Sequence, residues 1–310
     1  MPVLPHQLDP RLHAYRHDLA DKALAGQIVA GKFVEGRLAR VADGRLAMFG
    51  APDLSGPMVS ELRHGECVDI FEQKRGIAWV QNRADRYVGY AAADGLEDTV
   101  ADSAWRVVNL STYLYPEPDV KTAPKDLLPF PARVAAAEAL PDGWAQLTTG
   151  GFVYAAHLES AATLHADYVF TAGRLLGVPY LWGGRTALGI DCSGLVQLAL
   201  ELAGYDCPRD SDMQRAALGV APPSDWRDYP FARGDLVFLG QAHVGMMADS
   251  THLLHATEYH MRVISEPLAD VAPRYRDGIT AIGVREKIIR LRQSAPARFT
   301  AQTVAGGHGV

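Results

Sequence analysis

The pattern of the sequence changes once, near Leu158, and that change limits the folds open to the chain. From Gly31 to Leu96, short apolar runs (LARVA, RLAMFG, CVDIFEQ, AWVQ, YVGYAAADGL) are separated by Gly, Pro and Asp. Runs of that length, bounded by turn formers, predict short antiparallel strands of a small barrel. From Trp105 to Ala156 the same pattern returns in RVVNLSTYLYPEPD, LPFPARVAAAEAL and GWAQLTTGGFVYAAHL. The segments AWVQNRADRYVGYAAADGL and GWAQLTTGGFVYAAHL end alike, with Gly and an aromatic leading into an Ala-rich exit. A duplicated barrel is therefore expected.

After Leu158 the spacing becomes helical. Ala161, Leu164, Tyr168, Ala172 and Leu175 mark one face of a helix that ends before GVPYLWGG. A second helix opens near Cys192, carries Leu195, Val196, Ala199, Leu200 and Leu202, and stops at Gly204. Strands follow in DLVFL (235–239), HVGMMAD (243–249), LLHAT (253–257), RVIS and AIGV. Helices followed by antiparallel strands predict an α+β domain. Ahead of everything, Leu12, Tyr15, Leu19 and Ala23 recur at helical spacing and predict a short amphipathic helix over Asp9–Lys22. The expected organisation is a helical lead-in (1–30), two small all-β barrels (31–98 and 99–158), an α+β domain (159–292) and a poorly ordered tail (293–310).

A chain of 310 residues is about twice the usual single-domain length, which agrees with that division. With 48% hydrophobic and 21% charged residues it has the composition of a folded globular protein. The net charge of −6, with no stretch that interleaves Lys and Arg with aromatics, argues against a nucleic-acid partner. The start, MPVLPHQLDPRLHAYRHDLADK, lacks the basic and apolar regions of a secretory signal, and no apolar run is long enough to span a membrane. Cys67, Cys192 and Cys207 are odd in number and unevenly placed, which fits a reducing cytoplasm. Cys67 and Cys207 read as small buried hydrophobes.

Cys192 differs from them. It follows the Gly-rich approach GGRTALGID and opens the LVQLALELAG helix, where unpaired amides and the dipole favour a thiolate and can hold an oxyanion. Its base must come from downstream. His243, at the start of HVGMMAD, is the candidate, and His255, twelve residues on in LLHAT, shares its face if the hairpin keeps parity. His252 and His260 compete for the orienting role. A zinc site made of Cys192, His243 and His255 is the chemical rival, though the ligands lack close-spaced pairs. Tyr180 and Trp182 are either core aromatics or a cleft wall. Asp191 suits a helix cap and equally a substrate contact.

The runs PYLWGGRTALGIDCSGLVQ, RGDLVFLGQAHVGMM and LLHAT closely resemble the signature of the NlpC-type cell-wall cysteine peptidases, over roughly 160–290. The resemblance implies a papain-like fold, a Cys192, His243, His255 triad and no metal or organic cofactor. The two β modules resemble bacterial SH3-like domains, with Tyr90 standing where such barrels often have Trp. Together these resemble the cytoplasmic enzymes that trim released murein peptides, cleaving between γ-D-glutamate and a diamino acid and requiring a free amino-terminal L-alanine. An amine pocket is then implied from Asp191, Ser193, Asp210 and Ser211, closed by Glu66 and Tyr87 of the first barrel, with Trp182 beside it. A non-catalytic wall-binding protein and an acyltransferase on the same scaffold are the alternatives.

Overall fold

The computed structural model describes residues 8–98, 103–286 and 288. The expected tail, 293–310, lies outside them. No helix among the described residues is long and apolar enough to cross a membrane.

The first module is a seven-stranded antiparallel sheet built from β1 (Arg37–Val41), β2 (Arg45–Phe49), β3 (Met58–Arg63), β4 (Cys67–Lys74), β5 (Ile77–Asn82), β6 (Val88–Ala92) and β7 (Leu96–Glu97). The strands follow the order β3-β2-β6-β5-β4-β1-β7. Alternate residues, among them Ala39, Val41, Leu46, Met48, Val68, Ile70, Ala78 and Val80, point inward and form one core. The short apolar runs seen in the sequence are thus the strands that enclose the interior of a small barrel.

The second module comprises β8 (Trp105–Val107), β9 (Ser111–Leu114), β10 (Asp126–Pro129), β11 (Arg133–Val134), β12 (Ala136–Ala139), β13 (Trp144–Leu147), β14 (Phe152–Tyr154) and β15 (Leu158–Ser160). Its pairings repeat those of the first module. β9 pairs with β10 as β2 does with β3, and β13 with β14 as β5 does with β6. In both modules a 3₁₀ turn, Ala93–Gly95 or Ala155–His157, leads to a last strand that returns antiparallel to the module's first. The Ala-rich exits that look alike in sequence are these two turns. The module ends at Ser160, two residues past the expected boundary.

The α+β domain contains α1 (Tyr168–Gly173), a two-residue hairpin of β16 (Arg185–Thr186) and β17 (Gly189–Ile190), α2 (Cys192–Leu202) and α3 (Ser211–Leu218). Then come β18 (Leu236–Leu239), β19 (His243–Met247), β20 (His252–Thr257), β21 (Arg262–Pro267), α4 (Leu268–Val271) and β22 (Ile279–Gly283). The five strands are ordered β21-β20-β19-β18-β22, every pair antiparallel. Val244, Met246, Leu254 and Ala256 share a core with Leu195, Val196 and Ala199 of α2. That shared core fixes the helix against the sheet.

Two helical expectations are corrected. Asp9–Lys22 is a strap of turns and bridges rather than a helix, because its backbone is engaged by the first barrel. The Val88 amide donates to the Arg11 carbonyl at 2.8 Å, and Gln81 Nε2 to that of Leu12 at 2.7 Å. Arg16 lies over the Trp79 ring, 4.4 Å from its centroid. Helix α1 starts at Tyr168, capped by Asp167, because the Ala161 and His165 amides donate instead to Ala104 and Leu202; Leu164 is left exposed. The PRDSDMQ segment, which carries Asp210 and Ser211, opens α3 with Asp210 in its cap position.

Candidate active site

The α2 amino terminus is held from both sides of Cys192. Asp191 caps it: its Oδ1 accepts from the Gly194 amide at 2.6 Å and its Oδ2 from the Gly183 amide at 2.8 Å. The same carboxylate takes two bonds from buried Arg209, Nη1 to Oδ1 at 3.0 Å and Nη2 to Oδ2 at 2.6 Å. Ser193 Oγ donates to Asp191 Oδ1 at 3.1 Å and accepts from Arg209 at 2.8 Å. Arg209 Nε reaches Ser60 Oγ of the first barrel at 3.2 Å. Asp191 thus makes the helix cap and an ion pair with Arg209.

Cys192 is 6% exposed, and its thiol donates to the Ala242 carbonyl at 3.7 Å, one residue before His243. Burial opposes the thiolate that the helix start favours. Burial pushes the thiol up to about 12 and Asp191 adds to the rise, while the Val244 and Ser193 amides oppose it. Desolvation outweighs the helix terminus. Burial likewise holds His243 down at about 3, aided by neighbouring His255. Burial thus favours the neutral forms of both the thiol and the imidazole at rest.

His243 and His255 lie on the same face of the β19–β20 hairpin. His243 Nε2 and His255 Nδ1 are 2.8 Å apart, and a Cβ placed on Gly245 would lie 2.9 Å from His255 Cβ. Only glycine at 245 lets His255 lean toward His243. Neither competitor takes that place: His252 is bound to Asp249, and His260 Nε2 lies 3.3 Å from Glu266. His255 Nε2 lies 3.0 Å from Glu266 Oε1, and Arg274 donates to both Glu266 oxygens at 2.7 and 2.6 Å. Tyr275 stacks on His243 with ring centroids 5.1 Å apart. With Nε2 spent on His255, Nδ1 is the His243 nitrogen left for Cys192. Among the described residues no group of three or more His, Cys, Asp or Glu could hold a metal ion.

Tyr87 and Asp210 meet as expected, the phenol donating to Asp210 Oδ2 at 3.0 Å. Arg11 of the strap donates to the same oxygen at 2.8 Å and also bonds Asp212 and Asp9. Ser211 follows as the first residue of α3. Tyr90 donates no such bond and instead accepts from Arg16. Trp182 is 56% exposed, so it is no core residue, whereas Tyr180 packs half-buried against the main core.

Glu66 is the misplaced expectation. It is buried in the contact between barrel and α+β domain, where Oε1 accepts from Arg63 Nε at 2.9 Å and Oε2 from the Arg63 amide at 2.9 Å and Arg185 at 3.3 Å. Those guanidinium groups hold its carboxyl at about 2 against the opposing effect of burial. Both oxygens are committed to arginines, so an amine is not its partner. Arg185 also donates to the Glu61 carbonyl and to Gln197 of α2, each at 2.8 Å. Sequence reading missed Arg63, Arg185, Arg209, Glu266 and Tyr275. Arg209 adjoins Asp210 in PRDSD and was within reach of it; the others carry no local signal.

A capped helix-start cysteine set against a histidine pair on an antiparallel sheet is the site of a papain-like domain. Residues 177–275 match the NlpC/P60 family, and residues 48–96 match the bacterial dipeptidyl-peptidase Sh3 domain. The chain therefore carries an NlpC/P60 domain behind an amino-terminal SH3 domain. It is similar to dipeptidyl-peptidase 6 of Lysinibacillus sphaericus, 28% identical over 262 residues, 76% of this chain and 95% of that one. It is 36% identical over 98 residues to a γ-D-glutamyl-L-lysine dipeptidyl-peptidase of Bacillus subtilis, which is 29% of this chain and 31% of that one. The crystal structure of an NlpC/P60 family protein from Bacillus cereus superposes with a TM-score of 0.66 at 18% identity, covering 80% of this chain and 99% of that one.

Proposed function

We propose that the chain is a cysteine endopeptidase that hydrolyses the γ-D-glutamyl-diamino acid bond of murein peptides bearing a free amino-terminal L-alanine. The observation that carries this reading is the His243–His255 contact, which leaves His243 Nδ1 for a thiol held one residue away on the Ala242 carbonyl. The Cys192 proton passes to Nδ1, and sulfur attacks the γ-carbonyl carbon of the D-glutamate. Amides at the start of α2 receive the oxyanion. The C–N bond breaks as the leaving amine takes the proton from His243, and water, deprotonated by the same ring, releases the acyl group.

The names of the two relatives support a peptidase that removes dipeptides, and one names the γ-D-glutamyl-L-lysine bond. For the amine pocket the support is charge. Asp191, Asp210, Asp9 and Asp212 stand against Arg209 and Arg11, so an added ammonium lowers the local imbalance. Two members of the predicted pocket, Asp191 and Ser193, face Arg209 and act through it. The strand-for-strand repetition of the first module supports reading 105–160 as a second SH3-like domain. Three free cysteines and a thiol buried against bulky wall suit a cytoplasmic enzyme acting on released peptides in recycling.

Incubation with L-Ala-γ-D-Glu-diaminopimelate, followed by mass spectrometry, is expected to show release of L-Ala-γ-D-Glu. Turnover by Cys192→Ala at the wild-type rate would sink the proposal. Acetylating the substrate's amino terminus is expected to cut the rate at least about tenfold, the range of a lost charge-assisted contact; equal rates would indicate an open cleft working on intact wall.

A further inference from the structure

We infer that Glu266 is a positioning residue of the active site: it fixes the tautomers of His255 and His243 in sequence, so that the nitrogen left for Cys192 is the unprotonated one. The inference rests on the peptidase reading of Cys192 and His243, and goes beyond it by adding a fourth member that determines how the other three work.

The argument follows hydrogens along one line. Glu266 stands on β21 and receives two bonds from Arg274, at 2.7 and 2.6 Å. This paired guanidinium keeps the carboxylate ionised, and an ionised carboxylate can only accept. Its Oε1 lies 3.0 Å from His255 Nε2, so that nitrogen must carry the hydrogen. His255 is fully buried and held below its usual value by desolvation, and is therefore neutral. A neutral ring protonated on Nε2 has a bare Nδ1. That Nδ1, 2.8 Å from His243 Nε2, must accept from it. His243 is neutral too, so its own Nδ1 has a free lone pair. The base is prepared before substrate arrives.

Without the carboxylate, the relay loses its direction. His255 could then carry its hydrogen on Nδ1 and donate to His243 Nε2, which would put the His243 hydrogen on Nδ1, so that this nitrogen could not accept the thiol proton. The two arrangements have the same heavy-atom distances and differ only in where two hydrogens sit. The groups around the line do not supply the same direction. His260 meets Glu266 at Oε2, Arg274 donates to both carboxylate oxygens and so offers His255 no acceptor, and Tyr275 covers His243 by stacking rather than by a bond to a ring nitrogen. During reaction the same carboxylate supports the imidazolium formed on His243, through neutral His255.

Nitrogen-15 spectra of histidine-labelled protein distinguish the two tautomers directly, with resonances assigned by single histidine replacements. The expected result in the wild type is Nε2–H on both His243 and His255. Glu266→Leu removes the acceptor, so Nδ1–H forms should appear and kcat should fall by about 100-fold or more, with KM within about threefold. Glu266→Gln keeps an acceptor oxygen and should retain the wild-type tautomers with a kcat loss within about tenfold. A wild-type His243 protonated on Nδ1 would overturn the inference, and so would a folded Glu266→Leu protein with unchanged tautomers or unchanged kcat. If Glu266→Leu does not fold, the wild-type spectrum still decides. The spectra need no substrate and can be recorded on Cys192→Ala. Turnover by that variant would remove the peptidase reading and leave the tautomer result standing.

Discussion

At the residue scale, the Cys192 thiol is governed by burial more than by its helix. A helix terminus lowers a thiol when solvent reaches the site, but a sulfur that is 6% exposed loses more by desolvation than it gains from two amides. The resting enzyme is therefore expected to alkylate slowly at neutral pH. The rate with iodoacetamide should climb steadily as pH rises toward about 12, since only the thiolate reacts. A plateau beginning near pH 4, as an ion-paired thiolate would give, is the contrary result. Gly245 is the second residue-scale case. Gly245→Ala places a methyl 2.9 Å from His255 Cβ and should cut kcat by about tenfold or more, while Tm falls by only a few degrees. Equal wild-type and variant kcat would show that His255 moves freely.

At the scale of the element, α2 is anchored by its first turn. Asp191 is both N-cap and the counter-charge of Arg209, which is 1% exposed. Asp191→Ala should destabilise the domain by about 3–5 kcal/mol, because it leaves a buried guanidinium unpaired; urea midpoints measure this. A loss near 1 kcal/mol would mean that only the cap mattered. How far the elements were legible depended on what holds them. Helix α2 and strands β18 to β20 appeared in the sequence where they lie in the structure, because their apolar residues face one continuous core at a regular period. The strap of 9–22 carries helical spacing, yet its carbonyls are taken by Val88 and Gln81, partners some seventy positions away. Helix α3 escaped notice because half of its eight residues are polar and only Gln214 and Leu218 are buried.

For the whole molecule, the first barrel and the α+β domain are joined by buried charge. Arg185, from the β16 turn, meets Glu61, Glu66 and Asp85 of the barrel and Gln197 of α2. Arg185→Ala should take the shared guanidinium from Glu66 and Asp85 and split unfolding into two transitions in calorimetry; a single sharp transition would contradict this. Acid should also loosen the assembly in a defined order. His64 and His243 have folded values of about 4 and 3, below the usual 6.5, because burial disfavours their charge. Their unfolded forms bind protons first, so stability is complete above about pH 6.5 and falls as pH drops through 4. Glu66 and Glu266, held at about 2 against the usual 4.5, add a second loss below about pH 4.5. Urea midpoints that stay flat between pH 7 and 4 would show that these groups are not shielded.

The sequence by itself determined which residues could be strand, core and nucleophile, because period, turn formers and the Gly-rich approach to Cys192 act over a few neighbours. The match of LLHAT to HVGMM was legible for the same reason, a parity that two adjacent strands must share. Only the tertiary structure decided protonation and partnership. It set burial against the Cys192 thiolate, turned Glu66 from an amine to two arginines, and set Glu266 behind His255. Burial and long-range charge pairing are sums over groups distant in the chain, and no local spacing records them.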